Sequence, residues 1–147
     1  MFAGLSAYLS YRTIKQANDT EADRRETART ERMANVWREA KRLRYLSEDE
    51  TRQLDTEEVA NLVLDNVNTM GKIGYWWHTK LIDRDTTERE LGPGYKDLYR
   101  QIQNLGELKV LQRTGPDLLK ENPFATDLYL SIARRFPDSA EDAATGS

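Results

Sequence analysis

The apolar positions of this chain fall into blocks separated by polar stretches. The strongest block runs from Val59 through Leu62, Val63, Val67, Met70, Ile73 and Trp77 to Leu81. Steps of three and four lay these side chains on one face of a helix, and this helix is expected to carry the core. Thr56 or Asp55, followed by Glu57 and Glu58, gives it an N-terminal signal. Gly71 and Gly74 lie inside it and read as points of close helix approach, because glycine in a helix interior otherwise costs up to about 1 kcal/mol. Ser47 with Glu48, Asp49 and Glu50 marks the start of a short helix through Gln53.

Further blocks follow. Asp85 or Thr86 caps a short helix containing Glu88–Leu91, which Gly92-Pro93-Gly94 ends. Tyr95, Leu98, Tyr99, Ile102 and Leu105 form the face of the next helix, ended by Gly106. Arg113 to Pro116 reads as a turn, and Asp117-Leu118-Leu119 as a short helix. Asn122-Pro123-Phe124 opens a last helix with Phe124, Leu128, Tyr129, Ile132, Ala133 and Phe136 on its face, and Pro137 closes it. No alternating run reaches strand length between turn signals. The fold class is all-α: a long N-terminal helix followed by a compact helical bundle. The boundaries are 1–14 for an apolar segment, 15–46 for a charged helix, 47–136 for the bundle and 137–147 for a flexible acidic tail.

The N-terminal third has a different pattern. Residues 1–11 carry no charge but are too short to span a bilayer, which needs roughly 20 apolar residues. They lack the basic start and cleavage pattern of a signal peptide. Tyr8 and Tyr11, followed by Arg12 and Lys15, sit as at the exit end of a membrane helix. Three readings are open: an anchor cut short, a helix buried against a partner or a second copy, or a frayed end. Phe2, Leu5, Tyr8, Leu9, Tyr11, Arg12 and Lys15 are the candidate membrane or self-association residues. Residues 15–32 contain no large apolar side chain. Neither Gly nor Pro occurs between Leu5 and Gly71, and Glu21 lies four residues before Arg25, so a solvated helix is favoured over a disordered linker. Its 18 or so residues would separate its ends by nearly 30 Å. Met33, Val36, Trp37, Ala40, Leu43, Tyr45 and Leu46 then continue the helical spacing. Arg38, Lys41, Arg42 and Arg44 form a local basic patch outside it, read first as a solvated face near a helix C-terminus.

Composition narrows the chemistry. The chain has 147 residues, 32% of them charged and 38% hydrophobic, with no cysteine and one histidine. Thiolate metal sites, disulfides and cysteine nucleophiles are excluded, as is a cage of several histidines. Net charge is −3, too balanced for wholesale nucleic-acid binding. There is no HExxH, P-loop, GxGxxG or Ser–His–Asp order. Neighbouring acids such as Glu57 and Glu58 diverge on a helix. No catalytic, metal or cofactor residues are nominated, and the chain reads as non-enzymatic. Tyr75, Trp76 and His78 are candidate partner-binding residues. The competing reading is that Trp77 is core and Trp76 packs on the N-terminal helix.

The order of features resembles an uncharacterised family of small bacterial and phage proteins, a domain of unknown function. The resemblance rests on Tyr8–Lys15 after the apolar segment, on Asn35-Val36-Trp37, and on Asn68-Thr69-Met70-Gly71-Lys72-Ile73-Gly74 running on to Lys80-Leu81-Ile82-Asp83. Lys80 stands where that pattern more often has glycine. The resemblance implies a membrane anchor, a charged helix, a helical domain on the cytoplasmic side and no enzymatic residues. The expected function is an interaction module tethered by its N-terminal helix to a membrane or a protein partner. The alternatives are a phage or virion assembly component that self-associates, and a helical DNA-binding regulator with Lys96, Arg100, Lys109 and Arg113 on phosphates. Nucleic acid is not the favoured partner, and a cytoplasmic or virion location is the alternative to the membrane.

Overall fold

The computed structural model describes the backbone of residues 2–138 and the side chains of residues 15–138. Residues 139–147 of the expected tail 137–147 and the side chains of Phe2, Leu5, Tyr8, Leu9, Tyr11 and Arg12 lie outside the described set. The elements are α1 (Phe2–Ala40), α2 (Glu48–Arg52), α3 (Glu57–His78), α4 (Arg84–Gln103), β1 (Glu107–Leu108), β2 (Arg113–Thr114), α5 (Gly115–Lys120) and α6 (Pro123–Arg135). The fold is all-α, a long first helix followed by a helical bundle. The turn expected at Arg113 is part of a two-residue antiparallel pairing, Glu107 with Thr114 and Leu108 with Arg113.

Helix α3 is the spine of the bundle. Val59, Val63, Val67, Met70, Ile73 and Trp77 are buried along it. They meet Tyr95, Leu98 and Ile102 of α4, Leu118 and Leu119 of α5, and Ala125, Leu128 and Ile132 of α6 in one core cluster. Gly74 permits the α3–α6 approach: a Cβ there would stand 2.3 Å from the Phe124 carbonyl oxygen. Gly71 faces Asn122 in the same way, at 2.7 Å from its Oδ1. The two glycines therefore serve close packing, as their spacing on α3 suggests.

The helix starts are set by side-chain caps. The Ser47 hydroxyl accepts from the Glu50 N–H while the Ser47 N–H donates back to Glu50, a reciprocal capping box. Thr56 caps α3 and Thr114 caps α5. Helix α4 is capped by Asp83, two or three residues earlier than Asp85 or Thr86 would place it. It bends at Gly92 (φ 46°, ψ −145°), a conformation essentially restricted to glycine. Pro93 then restarts the helix, so Gly92-Pro93-Gly94 makes a kink where the sequence suggests an end.

Two expectations at helix ends need correction. The helical spacing through Leu43, Tyr45 and Leu46 does not continue α1, which stops at Ala40. Residues 43–47 are non-helical because the bundle satisfies their backbone. The Asn66 amide accepts from the Arg44 N–H (3.0 Å) and donates to the Arg44 carbonyl (2.8 Å). Gln101 does the same for Leu46, at 2.9 Å each way. Leu46 points in and is buried, and Tyr45 lies half-exposed across α4. The second correction concerns Leu81, expected on the core face but 39% exposed. Helix α3 ends at His78, and Lys80 takes a left-handed φ of 60°. The Leu81 N–H bonds the Trp76 carbonyl and the Lys80 N–H the Trp77 carbonyl, the Schellman arrangement in which glycine is the usual residue at this position. The turn carries Leu81 outward and buries Ile82 instead.

Candidate functional site

The described part of α1 is exposed from Lys15 to Arg32 except at Ala28. Glu21 and Arg25 pair at 3.4 Å on its surface. Contact with the bundle begins at Met33. Val36 is fully buried, Trp37 and Ala40 are half-buried, and Glu39 reaches Lys72 of α3 at 3.1 Å. The chain then turns back through 43–47 and leaves a cleft between the end of α1, this strap and the kinked middle of α4.

The cleft has a volume of about 470 Å³. Trp37, Leu43, Tyr45, Leu91, Tyr95 and Leu98 line it, with Lys41, Arg44 and Glu90 among the residues at its edge. The Tyr45 hydroxyl donates to the Gly94 carbonyl (2.7 Å), which fixes the strap across α4 at the kink. Burial, then the nearby Asp97 carboxylate, raises the Tyr45 pKa above its ordinary value. The Tyr95 hydroxyl donates to the Ala125 carbonyl (2.9 Å). Full burial holds the Tyr95 phenol far above its usual pKa, so the cleft offers aromatic surface and no proton donor poised near neutrality. That composition suits binding of an apolar group.

The basic patch does not converge. Arg44 pairs with Glu50 through two hydrogen bonds of 2.9 and 2.8 Å, and Arg42 lies 3.6 Å from Glu39. Among the described residues Arg38 bonds Asn35 of its own helix. The patch is divided because α1 ends at Ala40, so Lys41, Arg42 and Arg44 no longer share a helical face with Arg38. Glu50 is held low, at a pKa of about 2, first by the Arg44 guanidinium and then by the Ser47 N–H.

Of the aromatic candidates, Tyr75 and His78 share a neighbour and Trp76 stands apart from them. Tyr75 and His78 flank Phe124, with ring centroids 5.4 and 4.9 Å away. Trp76 is half-buried on the other side, where it shares a small cavity with Arg32 and Asn35 of α1. Trp77 is in the core, as the competing reading has it, with the Arg84 guanidinium 4.6 Å above its ring. Lys15, the one described member of the N-terminal set, is exposed.

Sequence reasoning missed the polar seam between α4 and α6. Lys96 is only 3% exposed, and its ammonium donates to the Phe136 carbonyl and meets Asp138. Arg100 meets Asp138 and donates to the Tyr129 hydroxyl (3.1 Å). Tyr129 stacks on Tyr99 at 3.9 Å. Ser131 donates to the buried Glu88. Asp138 is thus anchored within the stretch assigned to the tail. Its pKa is lowered by Lys96 first and Arg100 second. Of the four residues a DNA-binding reading would use, Lys96 and Arg100 are engaged here and Arg113 pairs with Glu121. The signal for the seam was four-residue spacing on α4, which puts Lys96 and Arg100 on one flank beside Tyr99.

Among the described residues, no group of three or more acids or histidines is placed to hold a metal ion. No described helix is long and apolar enough to cross a membrane. The chain matches no family model, no curated protein and no solved structure.

Proposed function

We propose that the protein is a non-enzymatic interaction module in which α1 sets a distance and the bundle binds a protein partner. The observation that supports this most directly is the aromatic cleft at the joint of α1 and α4. A partner segment that inserts one large apolar side chain would fill it, and an acidic neighbour on that segment would meet Lys41 at the rim. Buried aromatic anchors in such clefts typically carry most of the binding energy of an interface. The N-terminal segment supplies the tether in this reading, to a membrane or to a second molecule.

The test is selection of peptides from a random library on the full chain. Enriched sequences should carry a large apolar residue beside an acid. Trp37→Ala and Tyr45→Ser should each weaken them by roughly tenfold, the scale of a hot-spot truncation. Peptides that bind both variants as well as the parent would refute the cleft as the recognition surface. Flotation of the full chain with vesicles, against a chain lacking residues 1–15, tests the tether separately.

A further inference from the structure

A second cavity lies where α1 passes the turn between α3 and α4. Its volume is about 330 Å³. Arg29 and Arg32 reach it from α1, Lys80 from the turn and Arg84 from the first residue of α4. Among the described residues the side chains of Arg29, Arg32 and Lys80 make neither an ion pair nor a hydrogen bond. Arg84 is fixed without being neutralised: it donates to the Trp77 carbonyl (3.0 Å) and the His78 carbonyl (2.9 Å) and stacks on the Trp77 ring. The single acid of the cavity, Asp83, accepts from the Thr86 N–H and hydroxyl as the cap of α4. Four cationic side chains therefore line one opening with one carboxylate, which bonds Thr86 through a single oxygen and lies in the field of Arg29, so the cavity keeps a net positive charge.

Two further features specify what would neutralise them. Lys80 holds the left-handed position of the Schellman turn, a conformation that is strained for lysine and free for glycine. Strain kept at one residue is a pointer to a role for its side chain, and here the side chain adds a charge to the cavity. Adjoining it is a smaller cavity of about 120 Å³, which shares Arg32, Leu81 and Ile82 and adds Asn35 and Trp76. The cationic compartment thus continues into one with an aromatic wall and an amide.

We infer that the cleft formed by Arg29, Arg32, Lys80 and Arg84 binds a phosphate group, with the organic part of the same molecule against Trp76 and Asn35. Arginine forks match phosphate oxygens in pairs, and the neighbouring indole offers a face to a planar or apolar group. The same chemistry is presented by a soluble phosphate ester such as a nucleotide and by an anionic lipid headgroup. This site is independent of the aromatic cleft, so either can fail alone.

The test uses the full chain and two kinds of probe. Adenosine monophosphate and pyrophosphate are titrated by calorimetry and tryptophan fluorescence. Vesicles of phosphatidylglycerol are compared with vesicles of phosphatidylcholine by flotation. Binding to either phosphate source is expected, weakening as salt is added. Arg32→Gln and Lys80→Gly should each lower that affinity by roughly tenfold, the scale of one charge-assisted contact. Lys80→Gly should melt no lower than the parent, because it relieves the turn, so its lost affinity is not lost folding. Binding of the soluble probes assigns the site to a small molecule, and binding of the phosphatidylglycerol vesicles alone assigns it to a headgroup; both support the inference. Failure of every probe overturns it, as does binding that neither substitution weakens or that survives high salt.

Discussion

The stretch 15–32 of α1 and helix α4 are both rich in charge, with ten charged residues of 18 in the first and eight of 20 in the second. One stands almost wholly in solvent, and the other is built into the core. Charge density does not separate them. Helix α4 has Leu98, Tyr99 and Ile102 at helical spacing, so one face is buried, and its burial draws Glu88 and Lys96 in with it. Those two survive because α6 and the segment after it bring partners, Ser131 for the acid, Phe136 and Asp138 for the base. Residues 15–32 have no such face, and their charges stay hydrated. A charged side chain inside a fold therefore reports where an apolar face has carried it, and its partners must be sought on whatever element covers that face.

If the bundle is one packed unit while 15–32 stands apart, the largest effects must come from the α3–α6 contact. Gly74→Val would place its Cβ against the Phe124 carbonyl, which is backbone and cannot swing away. Overpacking typically costs 1–3 kcal/mol and more where nothing yields, so a loss of about 3 kcal/mol is expected in denaturant unfolding. A loss below about 0.5 kcal/mol would mean that α3 and α6 are not in close contact at Gly74.

Smaller effects should follow from the carboxylates that fasten the bundle. Glu50 is held at about 2 by Arg44, and Asp138 is lowered by Lys96 and Arg100. Both have folded pKa values below their unfolded ones, near 4 for ordinary carboxylates. Their contribution is therefore complete above that range and is lost as pH falls through the folded values. Stability should decline from about pH 4.5 towards pH 2. Asp138→Asn and Glu50→Gln should each lower stability at pH 7 and flatten that decline. An unchanged acid profile in Asp138→Asn would detach the residue from the seam and return it to the tail.

What the sequence makes legible follows the same division. The periodicity of Val59 to Trp77 and of Phe124 to Ile132 locates the core helices, and Ser47 and Thr56 locate two starts, because these are local signals carried by spacing and caps. The end of α1 was hidden. Nothing between Ala40 and Leu46 breaks a helix; Asn66 and Gln101, 22 and 55 residues further along, compete for the backbone instead. Asn66 left a trace, as a buried amide among Val63, Val67 and Met70 on the apolar face of α3. Lys80 left a fainter one, standing where the resembled pattern more often has the glycine that such a left-handed turn favours. The candidate sites suffered most. The aromatic cleft and the phosphate cleft each need α1 to be placed against the α3–α4 region, and only the folded chain supplies that juxtaposition.

The smallest effect on the bundle should come from breaking α1 where it is exposed. Ala22→Pro removes a backbone donor and clashes with the preceding turn, at a local cost of about 3 kcal/mol. The surrounding side chains are exposed, and the Glu21–Arg25 pair is of the surface kind, contributing about 0.5 kcal/mol or less. Far-ultraviolet ellipticity should fall, because a helix of 39 residues is interrupted. The unfolding midpoint of the bundle, read from tryptophan fluorescence, should stay within about 0.5 kcal/mol of the parent. Trp76 and Trp77 lie in or against the core and Trp37 lines the cleft at the bundle, all beyond the break, so they report the bundle and not the spacer. A midpoint that dropped with the ellipticity would show that residues 15–32 are packed against something in solution, a second copy being the simplest candidate. The spacer would then be an interface, and its dense charge would need partners as the charges of α4 do.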